Sequence, residues 1–271
     1  RELALTVRQA IANFPAGVHR SLLLGRGGEF QTVREWQPGD RRLSIPATAR
    51  TGKLMFKAFE EPKSIIVWLV VDASASMDYG SAQKRMEVAA ALCLLFGFSV
   101  DSVGDRLAIL IFGSGKLLVW EPGSGDNALA AVHVLQRGNR EKKTAGLSEA
   151  LATVTASEPV NALVVIISDF HFELGEAKRY LKQISNLPRV TLLSLVVRDL
   201  PEEDLPQAPL MAEVWDAETA EHLLIDMRST QTQRRQLLEE LVSLGSHAVE
   251  LDSFNYFKQL AKFFGSLPLR Q

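Results

Sequence analysis

Asp72, Ser74 and Ser76 stand at alternating positions, spaced by the small residues Ala73 and Ala75, at the end of the apolar run Ile65 to Val71. One carboxylate and two neutral hydroxyls are hard oxygen donors. That chemistry suits magnesium, calcium or manganese, not zinc or copper. The run before them is unbroken and rich in β-branched residues, as a strand buried on both faces of a parallel sheet requires. A second such run, Leu163 to Ile167, leads through Ser168 to Asp169, and Thr144 opens a helix between the two strands. Ligands of an open α/β sheet collect beyond the carboxyl ends of its strands. If the two strands are neighbours, oxygens of Asp72, Ser74, Ser76, Thr144 and Asp169 surround one divalent cation, some of them through water.

Each residue also has an ordinary reading. Asp72 alone is a strand-end turn residue, Thr144 alone an N-cap, and the two serines helix-start residues. Rival chemistries fit less well. A phosphohydrolase with a strand-end aspartate nucleophile wants a second acid two residues on, where Ser74 stands. A serine hydrolase wants Gly-x-Ser-x-Gly, which surrounds neither serine. Gly25-Arg26-Gly27-Gly28 lacks the third glycine of a dinucleotide fingerprint, and Gly113-Ser114-Gly115-Lys116 lacks the rest of a phosphate loop. His171 lies near Asp169, whereas His19, His133, His222 and His247 show no zinc spacing. Cys93, among apolar neighbours, reads as inert packing.

The elements that must position these residues follow from the pattern. From Ser64 onward strands alternate with helices, the signature of a βαβ sheet. Gln83 to Asp101 is apolar nearly all round, a buried helix. Asp105 to Phe112 is a strand with a hairpin partner at Lys116 to Trp120. Helices follow to about Gln136 and Ala156, then the strand ending before Asp169, a helix over Glu176 to Leu187 and a strand over Val190 to Val197. An acidic loop (Asp199, Glu202, Glu203, Asp204) precedes a strand pair, Met211 to Trp215 and His222 to Met227. Thr230 to Leu244 is an amphipathic helix, His247 to Leu251 a strand and Phe254 to Phe264 a closing helix. Residues 1–62 read as a helix and a small, β-rich appendage, and residues 63–271 as the α/β domain.

The chain of 271 residues is long enough to bury a core without disulfide or metal support. A net charge of −2 leaves no electrostatic footprint for nucleic acid or an acidic membrane surface. One cysteine allows no internal disulfide and fits a cytoplasmic, reducing setting. No apolar stretch reaches about 18 residues, so no membrane span is expected within this chain, which opens on Arg1. A membrane anchor upstream is left open.

Asp-x-Ser-x-Ser after a buried strand, a later Thr, and a strand ending Ser-Asp together resemble the metal-ion-dependent adhesion site of the von Willebrand factor A fold. Asp72, Ser74 and Ser76 match its first loop, Thr144 its second and Asp169 its third. Further segments resemble a bacterial von Willebrand A-like family of unknown function, usually encoded beside MoxR-type AAA+ ATPases. They are Gly27-x-Glu29-Phe30, Arg34 to Asp40, Ala49-Arg50, Ser168-Asp169-Phe170 and Asp216-x-Glu218-Thr219. After Pro38-Gly39-Asp40 this chain carries Arg41-Arg42-Leu43-Ser44-Ile45, where that family has a longer Arg-bearing loop and an Asp-Trp pair. The resemblance implies a mostly parallel, Rossmann-like sheet with helices on both faces. It also implies a site for Mg²⁺ (or Mn²⁺ or Ca²⁺) that captures an acidic side chain of a protein partner. That partner is a MoxR-type AAA+ ATPase or its client, and the chain turns nothing over. The alternative is a metal-dependent phosphohydrolase using Asp72 and Asp169.

Overall fold

Trp68, Val70 and their neighbours have no exposed side to spare, and the strand they form is an interior one. The computed structural model describes residues 30–35, 45–59, 64–80, 83–137, 146–199, 211–216 and 221–266. In chain order, β1 (Phe30–Glu35) and β2 (Met55–Phe59) flank helix α1 (Ile45–Thr51). The main unit follows as β3 (Ile66–Asp72), a 3-10 turn (Ala75–Asp78), α2 (Arg85–Val103), β4 (Arg106–Phe112), β5 (Leu118–Gly123), α3 (Asp126–Arg137) and α4 (Leu147–Ala156). It continues through β6 (Ala162–Ser168), α5 (Ala177–Ser185), β7 (Val190–Arg198), β8 (Met211–Asp216), β9 (Glu221–Asp226), α6 (Met227–Ser243), β10 (His247–Asp252) and α7 (Tyr256–Ser266).

Six strands make one sheet in the order β10-β7-β6-β3-β4-β5. Every pairing in it is parallel except that of β4 with the edge strand β5. This is the expected mostly parallel α/β architecture. Strand periodicity divides the core between the two faces. Val67, Leu69 and Val71 join Leu107, Ile109, Ile111, Leu163, Val165 and Ile167 beneath α2, α3 and α7. Trp68 and Val70 join Leu110, Val164 and Ile166 beneath α4, α5 and α6. With both faces covered, alternation vanishes from the sequence and the strands read as continuous apolar runs. Each fully buried large aliphatic contributes about 1.5–3 kcal/mol, so these rows dominate stability.

The buried helix α2 runs two residues beyond the expected end, over Arg85–Val103. At 19 residues it is, among the described residues, the one helix long and apolar enough by length and composition to cross a membrane. This corrects the expectation that no stretch reaches that length. Its apolar positions Val88, Ala89, Leu92, Cys93 and Phe96 are packed against the sheet. Gly97 lets α3 approach closely, since a Cβ there would fall 2.7 Å from that of Ala128 and 2.9 Å from the Gly125 carbonyl oxygen.

Two antiparallel pairs, β1 with β2 and β8 with β9, form small sheets of their own. The second is the strand pair expected around Asp216. Within the β-rich appendage, the short polar segment over Ile45 to Arg50 is helical. The expected N-terminal helix lies outside the described residues.

Candidate metal centre

From β3 the chain moves one way across the sheet to β4, while β6 joins β3 on its other side. The carboxyl ends of β3 and β6 therefore flank the point where strand order reverses, the position at which open α/β sheets hold ligands. Register carries the chemistry there. Val71 pairs with Ile167, so the next residues, Asp72 and Ser168, are neighbours across two parallel strands. The Ser168 hydroxyl donates to Asp72 Oδ2 at 2.5 Å. Asp72 Oδ1 accepts the Ser74 N–H at 2.8 Å, which turns the chain back over the strand tip. The hydroxyls of Ser74 and Ser76 lie 3.1 Å apart, with Ser76 buried and Ser74 half-buried.

Asp72 has no exposed surface. Burial pushes its carboxyl up to about 6, against the hydrogen bond from Ser168 and with the help of the nearby Asp169 charge. Its hydrogen-bond partners here are a hydroxyl and a backbone amide, both neutral. The loop is also closely backed by β4: a Cβ on Gly113 would fall 2.6 Å from the Ser74 nitrogen and 2.9 Å from Asp72 Oδ1. Gly113 has φ +85°, a region where only glycine is unstrained.

Asp169, equally buried, is held differently. Its Oδ2 accepts Arg85 Nη1 at 2.5 Å, and its Oδ1 accepts the His171 N–H at 3.1 Å. The same Arg85 nitrogen donates to the Ser76 carbonyl at 3.1 Å, tying the first and third loops together. Behind them, Arg198 Nη1 donates to the Asp169 carbonyl at 2.8 Å, and burial pushes that guanidinium down to about 10. Phe170 next to it takes φ +50°, its N–H donating to Ser168 Oγ at 2.8 Å.

Four of the five expected donors, Asp72, Ser74, Ser76 and Asp169, thus belong to one corner of the sheet. Thr144 lies outside the described residues. His171 is exposed and contributes its backbone, not its ring. Sequence reasoning missed Arg85, whose partner is 84 residues away, and Gly113, whose role is set by the backbone crossing it. Ser168 was legible only once β3 and β6 were adjacent and in register.

Residues 32–242 match a family model described as a protein of unknown function, DUF58. The chain belongs to the DUF58 family. Uncharacterized proteins of Mycobacterium tuberculosis and Mycobacterium bovis are each 33% identical to it over 216 residues, 76% of this chain. The chain spans 66% of the length of these curated relatives. Among solved structures, the conserved hypothetical protein BatB from Bacteroides thetaiotaomicron is similar, with a TM-score of 0.51 and 19% identity over 75% of this chain and 98% of that one. The SpRpn10 VWA domain is similar at a TM-score of 0.42 and 10% identity, covering 70% of this chain and 89% of that domain. This DUF58 chain shares its mostly parallel α/β fold with BatB.

The residues at the strand tips fit a hard divalent cation on chemical grounds. Among the described residues no three His, Cys, Asp or Glu side chains converge on one point. A zinc-type cage is therefore not built there, whereas carboxylate and hydroxyl oxygens are the donors magnesium takes. Asp72 is a buried carboxylate with neutral hydrogen-bond partners, which is costly unless a cation accompanies it.

Proposed function

We propose that this DUF58 chain is a protein-binding module whose contact with its partner depends on a divalent cation, and that it performs no turnover of its own. The observation carrying this reading is the buried Asp72 carboxylate, whose hydrogen-bond donors among the described residues are neutral, beside the Ser74 and Ser76 hydroxyls. Asp72, Ser74 and Ser76 would hold Mg²⁺ (or Mn²⁺ or Ca²⁺), with Thr144 and Asp169 completing the set. With few carboxylates around it, such a cation keeps net positive charge and offers a position to a partner's Asp or Glu. The family resemblance makes that partner a MoxR-type AAA+ ATPase or a client that it remodels. The phosphohydrolase alternative is disfavoured because the position two residues beyond Asp72, where a second acid is wanted, holds a serine.

The test is a pull-down on immobilised chain in Mg²⁺ and in excess EDTA, repeated with Asp72→Ala. Co-purification of an AAA+ ATPase in Mg²⁺ alone, lost in the variant, supports the reading. Capture that persists in EDTA overturns it.

A further inference from the structure

We infer that the Arg85 guanidinium is an internal counter-cation that competes with the bound metal for Asp169, so that Asp169 becomes available to the metal only when Arg85 leaves. The inference rests on the metal-site reading above and adds the element that sets its affinity.

Charge argues for it first. Among the described residues Asp72 and Asp169 are the buried acids of the first and third loops, and Asp169 already has a guanidinium on Oδ2 at 2.5 Å. A divalent cation reaching for the same carboxylate meets a fixed positive charge within a poorly solvated space, where like charges repel far more strongly than in water. Both cannot hold Asp169 at full strength. Geometry argues next. Among the described residues one nitrogen, Nη1, donates both to Asp169 Oδ2 and to the Ser76 carbonyl, and so bridges the first and third loops. Arg85 Nε is buried without a hydrogen-bond partner. The guanidinium is thus charge-paired but incompletely satisfied, and departure costs it less than a fully bonded arginine would lose. It also has a way out: its side chain keeps 19% exposure, while that of Asp169 keeps none. Arg85 is the first residue of α2, so leaving requires a side-chain rotation and no break in the helix.

The experiment is a calorimetric titration of chelator-treated full chain with Mn²⁺, comparing the unchanged chain, Arg85→Gln, Arg85→Lys and each change on an Asp169→Asn background. Arg85→Gln should bind Mn²⁺ about tenfold more tightly. Arg85→Lys, which keeps the charge, should stay near the unchanged chain, and on the Asp169→Asn background Arg85→Gln should alter nothing. If the unchanged chain binds Mn²⁺ and Arg85→Gln binds it no more tightly, the competition is overturned and the metal site stands. Absence of binding in both overturns the metal site and the competition together. Should Arg85→Gln fail to fold, the unchanged chain still decides. Its Arg85 Nε resonance must move on saturation with Mg²⁺, and an immobile resonance beside bound metal overturns the inference.

Discussion

The Ser168 hydroxyl reaches Asp72 across the seam between β6 and β3, two residues 96 apart in the chain joined at 2.5 Å. The hydrogen bond holds a buried carboxylate by a neutral group, and among the described residues no arginine pairs with it. Ser168→Ala removes that donor and keeps the packing. It should cost about 1–3 kcal/mol at pH 8, the usual penalty for stranding a buried polar group, measured by urea unfolding. A loss no larger than that of a surface serine would show the contact to be incidental.

Occupancy should register as stability. A ligand that binds only the folded chain raises its melting temperature in proportion to the logarithm of concentration over Kd. Mg²⁺ or Mn²⁺ should therefore raise the melting temperature of the unchanged chain and leave that of Asp72→Asn unmoved. Equal shifts in both would place the binding elsewhere.

Gly113 and Gly104 separate two costs of adding a methyl group. Both have positive φ, at +85° and +77°, but a Cβ on Gly104 meets nothing within 4 Å, whereas one on Gly113 runs into the Ser74 backbone. Gly104→Ala should cost about 1–2 kcal/mol from backbone conformation alone. Gly113→Ala should cost more and, unlike Gly104→Ala, weaken Mn²⁺ binding. Equal stability and equal affinity in the two variants would contradict the close approach of β4 to the first loop.

Asp105 gives a pH dependence of stated sign. Its Oδ1 accepts the Ile65 N–H at 2.9 Å at the start of β4, and burial pushes its carboxyl up to about 6. An unfolded aspartate titrates near 4. The folded chain thus binds this proton more tightly, and the stability it contributes is full below pH ~4 and lost as pH rises through ~6. Two units set a ceiling of about 3 kcal/mol. Asp105→Asn keeps an oxygen acceptor and removes the charge, so it should exceed the unchanged chain in stability at pH 8 and match it near pH 4. Denaturant midpoints at the two pH values check this; a constant difference would refute it.

Cys93 is fully buried on α2, and burial pushes its thiol up to about 12. A thiol-specific reagent should leave the native chain unmodified and react on unfolding in urea, in step with the loss of circular dichroism. Rapid labelling in native buffer would contradict the packing of α2 against the sheet.

Much of this was legible in the residues. Strands such as β3 and β6 declare themselves because both faces are buried, and each stops where its apolar run meets an aspartate. The reason repeats at β10: like Asp72 and Asp169, Asp252 accepts the N–H two residues on, here Phe254 at 3.0 Å, and so folds the chain off the sheet. What spacing could not reveal were contacts that depend on strand order. Arg85 looks like an ordinary helix-start residue until β6 is set beside β3, and Ser168 becomes a partner of Asp72 only in that register. The helix at Ile45 carries too few periodic apolar residues to stand out from its polar neighbours. The length of α2 was legible, but it lies two residues later than expected, because helical hydrogen bonding continues past charged Asp101 to the left-handed Gly104 cap.

The adjacency of β3 and β6 has a consequence for how such a corner comes into being. Its side chains come from parts of the chain about a hundred residues apart, brought together by the innermost seam of the sheet. No fragment carrying one strand can possess it, and prying that seam open dismantles it at once. Anything lodged there acts as a rivet through the middle of the molecule, and backbone amides of both strands should exchange with deuterium more slowly in its presence.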